Sequence, residues 1–213
     1  MRIFHVLTTT ALLLGATVAG ASAQSTRIVA LGDSLTAGHQ LPASAALPSV
    51  LERELRARGW DVVIENAGVS GDTAAGGLER LDWSVGEGVR GVIVALGAND
   101  MLRGQDPART EASLSEIVER LKRKGVDVLL AGMFAAPSLG EDYGRRFNRI
   151  YRDLAEKHGV LLYPFLLEGV AQQPKLNFQD GIHPNAAGVE VMARGLLPTV
   201  EDFLTRVSAR RRG

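Results

Sequence analysis

Five short apolar runs, separated by segments with helical patterning, limit most strongly the folds open to this chain. They are rich in Val, Ile and Leu and show little polar alternation: Arg27–Leu31, Asp61–Glu65, Val92–Leu96, Asp127–Ala131 and Val160–Tyr163. Runs of this kind are typical of parallel strands that are buried on both faces. The alternation of strands and helices therefore predicts an α/β fold, with an open, mostly parallel sheet covered by helices on both sides.

The helical segments between and after these runs indicate a single domain. The clearest is Pro107–Lys124, whose apolar side chains recur at helical spacing on one face. A final helix is predicted to begin near Asn185, to run past Leu197, and to be interrupted or to end around Pro198. No internal repeat or low-complexity linker divides the chain, so residues 24–213 are predicted to form one domain.

The first residues, 1–23, have the features of a secretory signal peptide. Arg2 supplies a weak positive charge, Ala11–Val18 is a short apolar stretch, and Ala21–Ala23 is an A-x-A cleavage pattern. The mature chain is predicted to begin at Gln24, to be periplasmic or secreted, and to keep no stable membrane anchor. An uncleaved N-terminal anchor is the alternative.

Composition excludes several classes of function. The chain has 24 Lys plus Arg and 24 Asp plus Glu, so its formal net charge is zero. This balance gives no electrostatic case for binding nucleic acid. Cysteine is absent, which excludes disulfides, thiol catalysis and zinc–thiolate sites.

Polar residues follow several of the predicted strands. Ser34 follows the first run, Gly71 the second and Asn99 the third, whereas Asp180 and His183 come after the fifth. In open parallel sheets, ligands bind beyond the carboxyl ends of the strands. We therefore expect these residues to meet at one edge of the sheet.

Three of these side chains fit nucleophilic catalysis. A serine hydroxyl needs an adjacent base to become a good nucleophile, and a carboxylate fixes the tautomer of that base. Ser34 is the predicted nucleophile, His183 the base and Asp180 its carboxylate partner. The alternatives are that Asp33 or Ser34 only caps a helix and that the Asp-Gly and His-Pro pairs only form a surface turn. His39 is the other histidine near Ser34 and is predicted to be a pocket-rim or surface residue.

Acyl transfer also needs donors aimed at the oxygen that becomes negative. The candidates for this oxyanion hole are the backbone N–H of Ser34, the backbone N–H of Gly71 and the side-chain amide of Asn99. Ser70 is the second candidate nucleophile, although it has the character of a turn residue next to Gly71. No clustered histidines and carboxylates have metal-ligand spacing, so neither a metal nor another cofactor is predicted.

Four motifs resemble the conserved blocks of the SGNH hydrolase family, also called the GDSL esterase/lipase family. In chain order they are Gly32–Leu35, Asn66–Gly71, Gly97–Asp100 and Asp180–His183. Within that family the chain looks like the branch of small bacterial arylesterases, acyl-CoA thioesterases and lysophospholipases. Met101 departs from that pattern, because many thioesterase members have glycine there.

The resemblance implies both a fold and roles for individual residues. It implies a flavodoxin-like three-layer sandwich around a five-stranded parallel sheet. It also implies Ser34 as nucleophile, Gly71 and Asn99 as oxyanion-hole donors, and His183 as base with Asp180.

The expected activity is hydrolysis of an ester through an acyl-enzyme on Ser34. Expected substrates are small molecules: aryl esters, short- to medium-chain acyl esters, thioesters or lysophospholipids. An apolar wall for the acyl group is predicted from six side chains: Leu35, Met101, Leu102, Phe134, Leu139 and Ile182. The alternatives are a carbohydrate O-acetylesterase with the same triad and a non-enzymatic flavodoxin-like binding module.

Overall fold

A computed structural model describes residues 25–210 of the chain. The predicted signal peptide, its cleavage site and the first mature residue lie outside this range. Five strands form a single sheet in which every pairing is parallel. They are β1 (Thr26–Gly32), β2 (Val62–Gly68), β3 (Gly91–Ala95), β4 (Asp127–Ala131) and β5 (Leu161–Tyr163), in the spatial order β2-β1-β3-β4-β5. The predicted α/β fold with a five-stranded parallel sheet is confirmed.

Helices cover both faces of the sheet. In chain order they are α1 (Ser34–Ala37), α2 (Leu47–Ala57), α3 (Ala74–Glu79), α4 (Leu81–Ser84), α5 (Ala98–Leu102), α6 (Pro107–Arg123), α7 (Glu141–Asn148), α8 (Ile150–His158) and α9 (Ala186–Arg210). Helices α2 and α9 contact each other on one side, while α3, α6 and α8 pack together on the other. Within residues 25–210, no helix combines the length and apolar content needed to cross a membrane.

The strand predictions hold except at the end of β2. Four strands agree with the predicted runs to within one residue at each end, whereas β2 continues to Gly68 instead of ending at Glu65. This strand lies at the edge of the sheet and pairs with β1 residue for residue, from Thr26↔Val62 to Gly32↔Gly68. The residues of β2 after Ile64 are exposed or only partly buried, and the apolar run therefore stops before the strand does.

The prediction that the last helix is interrupted or ends around Pro198 is wrong. Helix α9 continues through Pro198 to Arg210. Five of its side chains on both sides of the proline are at most 1% exposed: Leu196, Leu197, Val200, Phe203 and Leu204. Burial of each contributes about 1.5–3 kcal/mol. Together they outweigh the roughly 3 kcal/mol that an interior proline costs a helix.

Candidate active site

Ser34 lies in a sharp turn between β1 and α1. Gly32 ends the strand, and a β-carbon there would lie only 2.0 Å from Thr36 Oγ1, so the turn requires glycine. Asp33 caps the helix, its carboxylate accepting a hydrogen bond of 3.0 Å from the N–H of Leu35. Ser34 is the first residue of α1, and the N–H of a first helical residue has no acceptor within its own helix. The turn thus presents both the hydroxyl and the backbone N–H of Ser34 at the carboxyl edge of the sheet.

His183 and Asp180 come from the loop before α9 and meet Ser34 across 149 residues of sequence. Ser34 Oγ lies 2.9 Å from His183 Nε2, and His183 Nδ1 lies 2.8 Å from Asp180 Oδ2. The other carboxylate oxygen of Asp180 accepts the backbone N–H groups of Ile182 and His183, at 2.9 and 3.0 Å. The three residues predicted to act together are therefore joined by two hydrogen bonds.

The environment of Asp180 keeps its carboxyl group ionised. The backbone N–H of His183 holds the pKa of this group well below its usual range, assisted by the His183 ring and the N–H of Ile182. A carboxylate accepts hydrogen bonds and prefers a positive neighbour. Asp180 is thus suited to fix the proton on Nδ1 of His183 and to leave Nε2 free to accept one.

The structure also brings Gly71 and Asn99 to the same edge. Gly71 follows β2 with φ +87, a conformation that favours glycine. Its carbonyl accepts a hydrogen bond of 2.8 Å from Arg103 Nη2. Asn99 lies in α5, and its side-chain amide donates to the carbonyl of Asp72 at 2.9 Å and to Asp33 Oδ2 at 3.3 Å. The contact with Asp33 is the longer and weaker of the two, so a substrate oxygen would compete most easily for that proton.

The structure gives Asp33 a contact that the sequence did not predict. Asp33 is only 1% exposed, and its side chain links the turn of Ser34 to the amide of Asn99. Burial raises the pKa of this carboxyl group from 3.8 to about 6, against the opposing effects of the Leu35 N–H and of His183. The sequence identified Asp33 only as a helix cap, because its contact with Asn99 joins residues 66 positions apart.

Arg80 is a second residue that the sequence patterns did not reveal. Its Nε donates to Asp72 Oδ2 at 2.6 Å, and its Nη2 donates to the carbonyl of Gly32 at 2.9 Å. The side chains of Arg80 and Asp72 are 16% and 18% exposed. Arg80 therefore connects the turn that carries Ser34 to the loop that carries Gly71. No local pattern signals this role, since the contact with Gly32 spans 48 residues.

Asp72 and Asp100 accept hydrogen bonds from the surrounding scaffold. Asp100 accepts the N–H of Ala74 at 2.8 Å and the hydroxyl of Thr110 at 3.1 Å. In the part of the chain that the structure describes, no three His, Asp or Glu side chains are grouped to hold a metal ion.

An apolar cavity of about 430 Å³ opens beside Ser34 and His183. Five of the six side chains predicted for the acyl wall line it: Leu35, Met101, Leu102, Phe134 and Ile182. Leu139 is not among its lining residues and instead packs, partly buried, against the core. Phe165, which the prediction omitted, also lines the cavity and stacks on Phe134 with ring centroids 4.8 Å apart.

Comparison with known proteins places this site in a family. The sequence profile of the GDSL-like Lipase/Acylhydrolase family matches residues 30–191. The chain belongs to this family. It is 38% identical over 168 residues to an arylesterase of Vibrio mimicus, covering 78% of this chain and 84% of that protein. It is 36% identical over 184 residues to thioesterase 1/protease 1/lysophospholipase L1 of Escherichia coli, covering 84% and 87%.

A solved structure shows the same architecture. The crystal structure of AlinE4, an SGNH-hydrolase family esterase, has a TM-score of 0.71 and 45% identity, covering 84% of this chain and 97% of that one. The family predicted from the four motifs is confirmed. The chain is accordingly a carboxylic-ester hydrolase that acts on small-molecule esters.

Proposed function

We propose that this hydrolase cleaves acyl esters through a covalent acyl-enzyme on Ser34. His183 Nε2 removes the hydroxyl proton while Ser34 Oγ attacks the ester carbonyl. The protonated His183 then gives that proton to the departing alcohol or thiol, and a water molecule activated by His183 releases the acid. The observation that carries the proposal is the pair of hydrogen bonds, 2.9 and 2.8 Å long, that joins Ser34, His183 and Asp180.

The oxyanion of the tetrahedral intermediate is proposed to bind three donors: the N–H of Ser34, the N–H of Gly71 and the amide of Asn99. The N–H of Ser34 has no helical acceptor, and the positive φ of Gly71 allows close approach of its backbone to a ligand. Loss of one such donor typically costs on the order of 3–4 kcal/mol of transition-state stabilisation. The proton that Asn99 shares with Asp33 at 3.3 Å is the one expected to turn to the oxyanion.

The proposed substrates are aryl esters, short- to medium-chain acyl esters, thioesters and lysophospholipids. Support comes from the cavity of about 430 Å³, which lies within the range of small-molecule binding sites and is lined mainly by apolar side chains. An acetyl group has one methyl to bury and would leave most of this surface without a partner. The cavity therefore favours acyl esters over the acetylated carbohydrates of the alternative prediction. The A-x-A pattern at Ala21–Ala23 supports the further proposal that the chain is exported to the periplasm or secreted.

The test is the initial rate on p-nitrophenyl esters from acetate to decanoate, for the wild-type protein, Ser34→Ala and Ser70→Ala. Ser70 is a matched control because it is an exposed serine in the neighbouring loop. We expect Ser34→Ala to lose at least about 10³-fold in kcat and Ser70→Ala to stay within about twofold of wild type. The optimum should lie beyond acetate. Equal activity of Ser34→Ala and wild type would refute the acyl-enzyme, and an optimum at acetate would favour the acetylesterase.

A further inference from the structure

A second imidazole packs against His183. The ring centroids of His39 and His183 are 4.4 Å apart, and the ring planes are tilted by 44°. The hydroxyl of Ser34 lies at hydrogen-bonding distance from His183 Nε2, so His39 is not the partner of the nucleophile. We propose that His39 is a positioning residue whose ring keeps the His183 imidazole aligned with Ser34. This inference rests on the proposed function of the three residues.

His183 needs such support because its polar contacts do not hold it throughout a reaction cycle. One ring nitrogen contacts Asp180 and the other contacts Ser34. The contact with Ser34 is lost when the serine oxygen becomes acylated, and Asp180 alone then fixes one edge of the ring. The Asp180 side chain is 34% exposed, and the loop includes Gly181 with φ +68. A ring packed against His183 at this distance limits its rotation in the acyl-enzyme as well as in the free enzyme.

The backbone that carries His39 is built to hold it near Ser34. Gly38 caps the carboxyl end of α1 with φ +78, and the N–H of His39 donates to the carbonyl of Ser34 at 3.2 Å. Gln40 follows with φ +62, one of two non-glycine residues with positive φ among residues 25–210. Such a conformation costs roughly 1–3 kcal/mol and persists only where the surroundings impose it. Because the turn is anchored to the helix that begins at Ser34, the backbone that carries the His39 ring is tied directly to the nucleophile.

This role depends on a flat ring and not on the nitrogens of His39. His39 is exposed, so its removal takes little apolar surface from the core. A phenyl ring at this position offers a similar face, whereas a methyl group does not reach His183. Loss of the His39 ring is therefore expected to lower turnover without lowering stability, and phenylalanine at this position is expected to restore turnover.

The experiment compares His39→Ala, His39→Phe and the neighbouring control Gln40→Asn, which tolerates the left-handed conformation. For each variant, kcat and KM are measured on p-nitrophenyl butyrate, together with thermal unfolding. We expect His39→Ala to lower kcat about tenfold with KM within about twofold of wild type, because misalignment of a reacting group slows chemistry more than binding. His39→Phe should recover kcat to within about threefold, Gln40→Asn should match wild type, and the unfolding temperatures should agree.

Two results would overturn the inference. Wild-type kcat in His39→Ala would show that the ring has no positioning role. A His39→Phe variant as slow as His39→Ala would show that the imidazole nitrogens matter rather than the ring face. Either result is distinct from a failure of the proposed function, which is decided by the activity of Ser34→Ala in the same assay. An inactive wild-type protein would overturn both.

Discussion

Replacing Asp33 with asparagine should make the protein more stable at neutral pH and less active. Asp33 is 1% exposed, and burial raises the pKa of its carboxyl group from 3.8 to about 6. In the unfolded chain the group ionises near pH 3.8, so above that value folding must either protonate the carboxylate, up to about pH 6, or bury it in its charged form. Because the pKa is raised in the folded protein, ionisation of Asp33 does not lower the free energy of unfolding below about pH 3.8 and lowers it by the full amount above about pH 6.

The size of the effect follows from the rise of the Asp33 pKa from 3.8 to about 6, because a tenfold change in proton affinity corresponds to about 1.36 kcal/mol. The penalty is about 1 kcal/mol at pH 4.5 and about 3 kcal/mol at pH 8. In Asp33→Asn, the amide oxygen can still accept the N–H of Leu35, and asparagine caps helices as well as aspartate does. One cost remains, because the new amide nitrogen faces Asn99 Nδ2, which now donates to Asp33 at 3.3 Å. Losing that bond costs roughly 1 kcal/mol at either pH.

The assay is urea unfolding of wild type and Asp33→Asn at pH 4.5, 6 and 8. We expect the variant to be about equal in stability to wild type at pH 4.5 and about 2 kcal/mol more stable at pH 8. Activity should fall, since Asn99 loses one of the two acceptors that orient its amide and keeps only the carbonyl of Asp72. A difference in the free energy of unfolding that stays constant between pH 4.5 and 8 would refute the reasoning. Asp33 would then have an ordinary pKa in the folded protein.

Three other substitutions test the scaffold and the site. Arg80→Met should lower the free energy of unfolding in urea by on the order of 3–5 kcal/mol, because it leaves the largely buried Asp72 carboxylate unpaired. Adding Asp72→Leu should recover part of that loss of stability. Equal stability of the single and double variants would contradict this. Met101→Gly enlarges the cavity beside Asn99 and should move the p-nitrophenyl ester optimum to longer chains. It should also cost about 1 kcal/mol of helix propensity and roughly 1.5–3 kcal/mol for the lost buried side chain. An unchanged optimum would place the acyl group elsewhere. Asp180→Asn should lower kcat on the same esters roughly 10³–10⁴-fold with little change in KM, since asparagine cannot stabilise the protonated His183. A near-normal kcat would remove Asp180 from the mechanism.

Local sequence patterns were enough to predict the architecture. The apolar runs predicted four strands to within one residue at each end, and they predicted the parallel sheet, because a buried parallel strand has few places for polar residues. The predicted helix Pro107–Lys124 does begin at its proline, where Asp106 caps α6 by accepting the N–H of Ala108. The same logic failed at Pro198, where packing of distant side chains outweighs the local cost of proline.

The candidate site likewise has features that the sequence predicted and features that it did not. The residue types and their positions after successive strands were sufficient to predict Ser34, His183, Asp180, Gly71 and Asn99 as candidates. The loops after parallel strands all lie at one edge of the sheet, so strand order along the chain already brings these residues near one another.

Other features of the site were decided by tertiary structure alone. The raised pKa of Asp33 comes from burial, the link made by Arg80 spans 48 residues, and the His39 ring meets His183 from a distant part of the chain. Burial and long-range contact are properties of the packed chain, and no pattern of neighbouring residues encodes them. The sequence therefore determined the fold and the candidate residues of the site, whereas packing decided the electrostatics and the contacts of those residues.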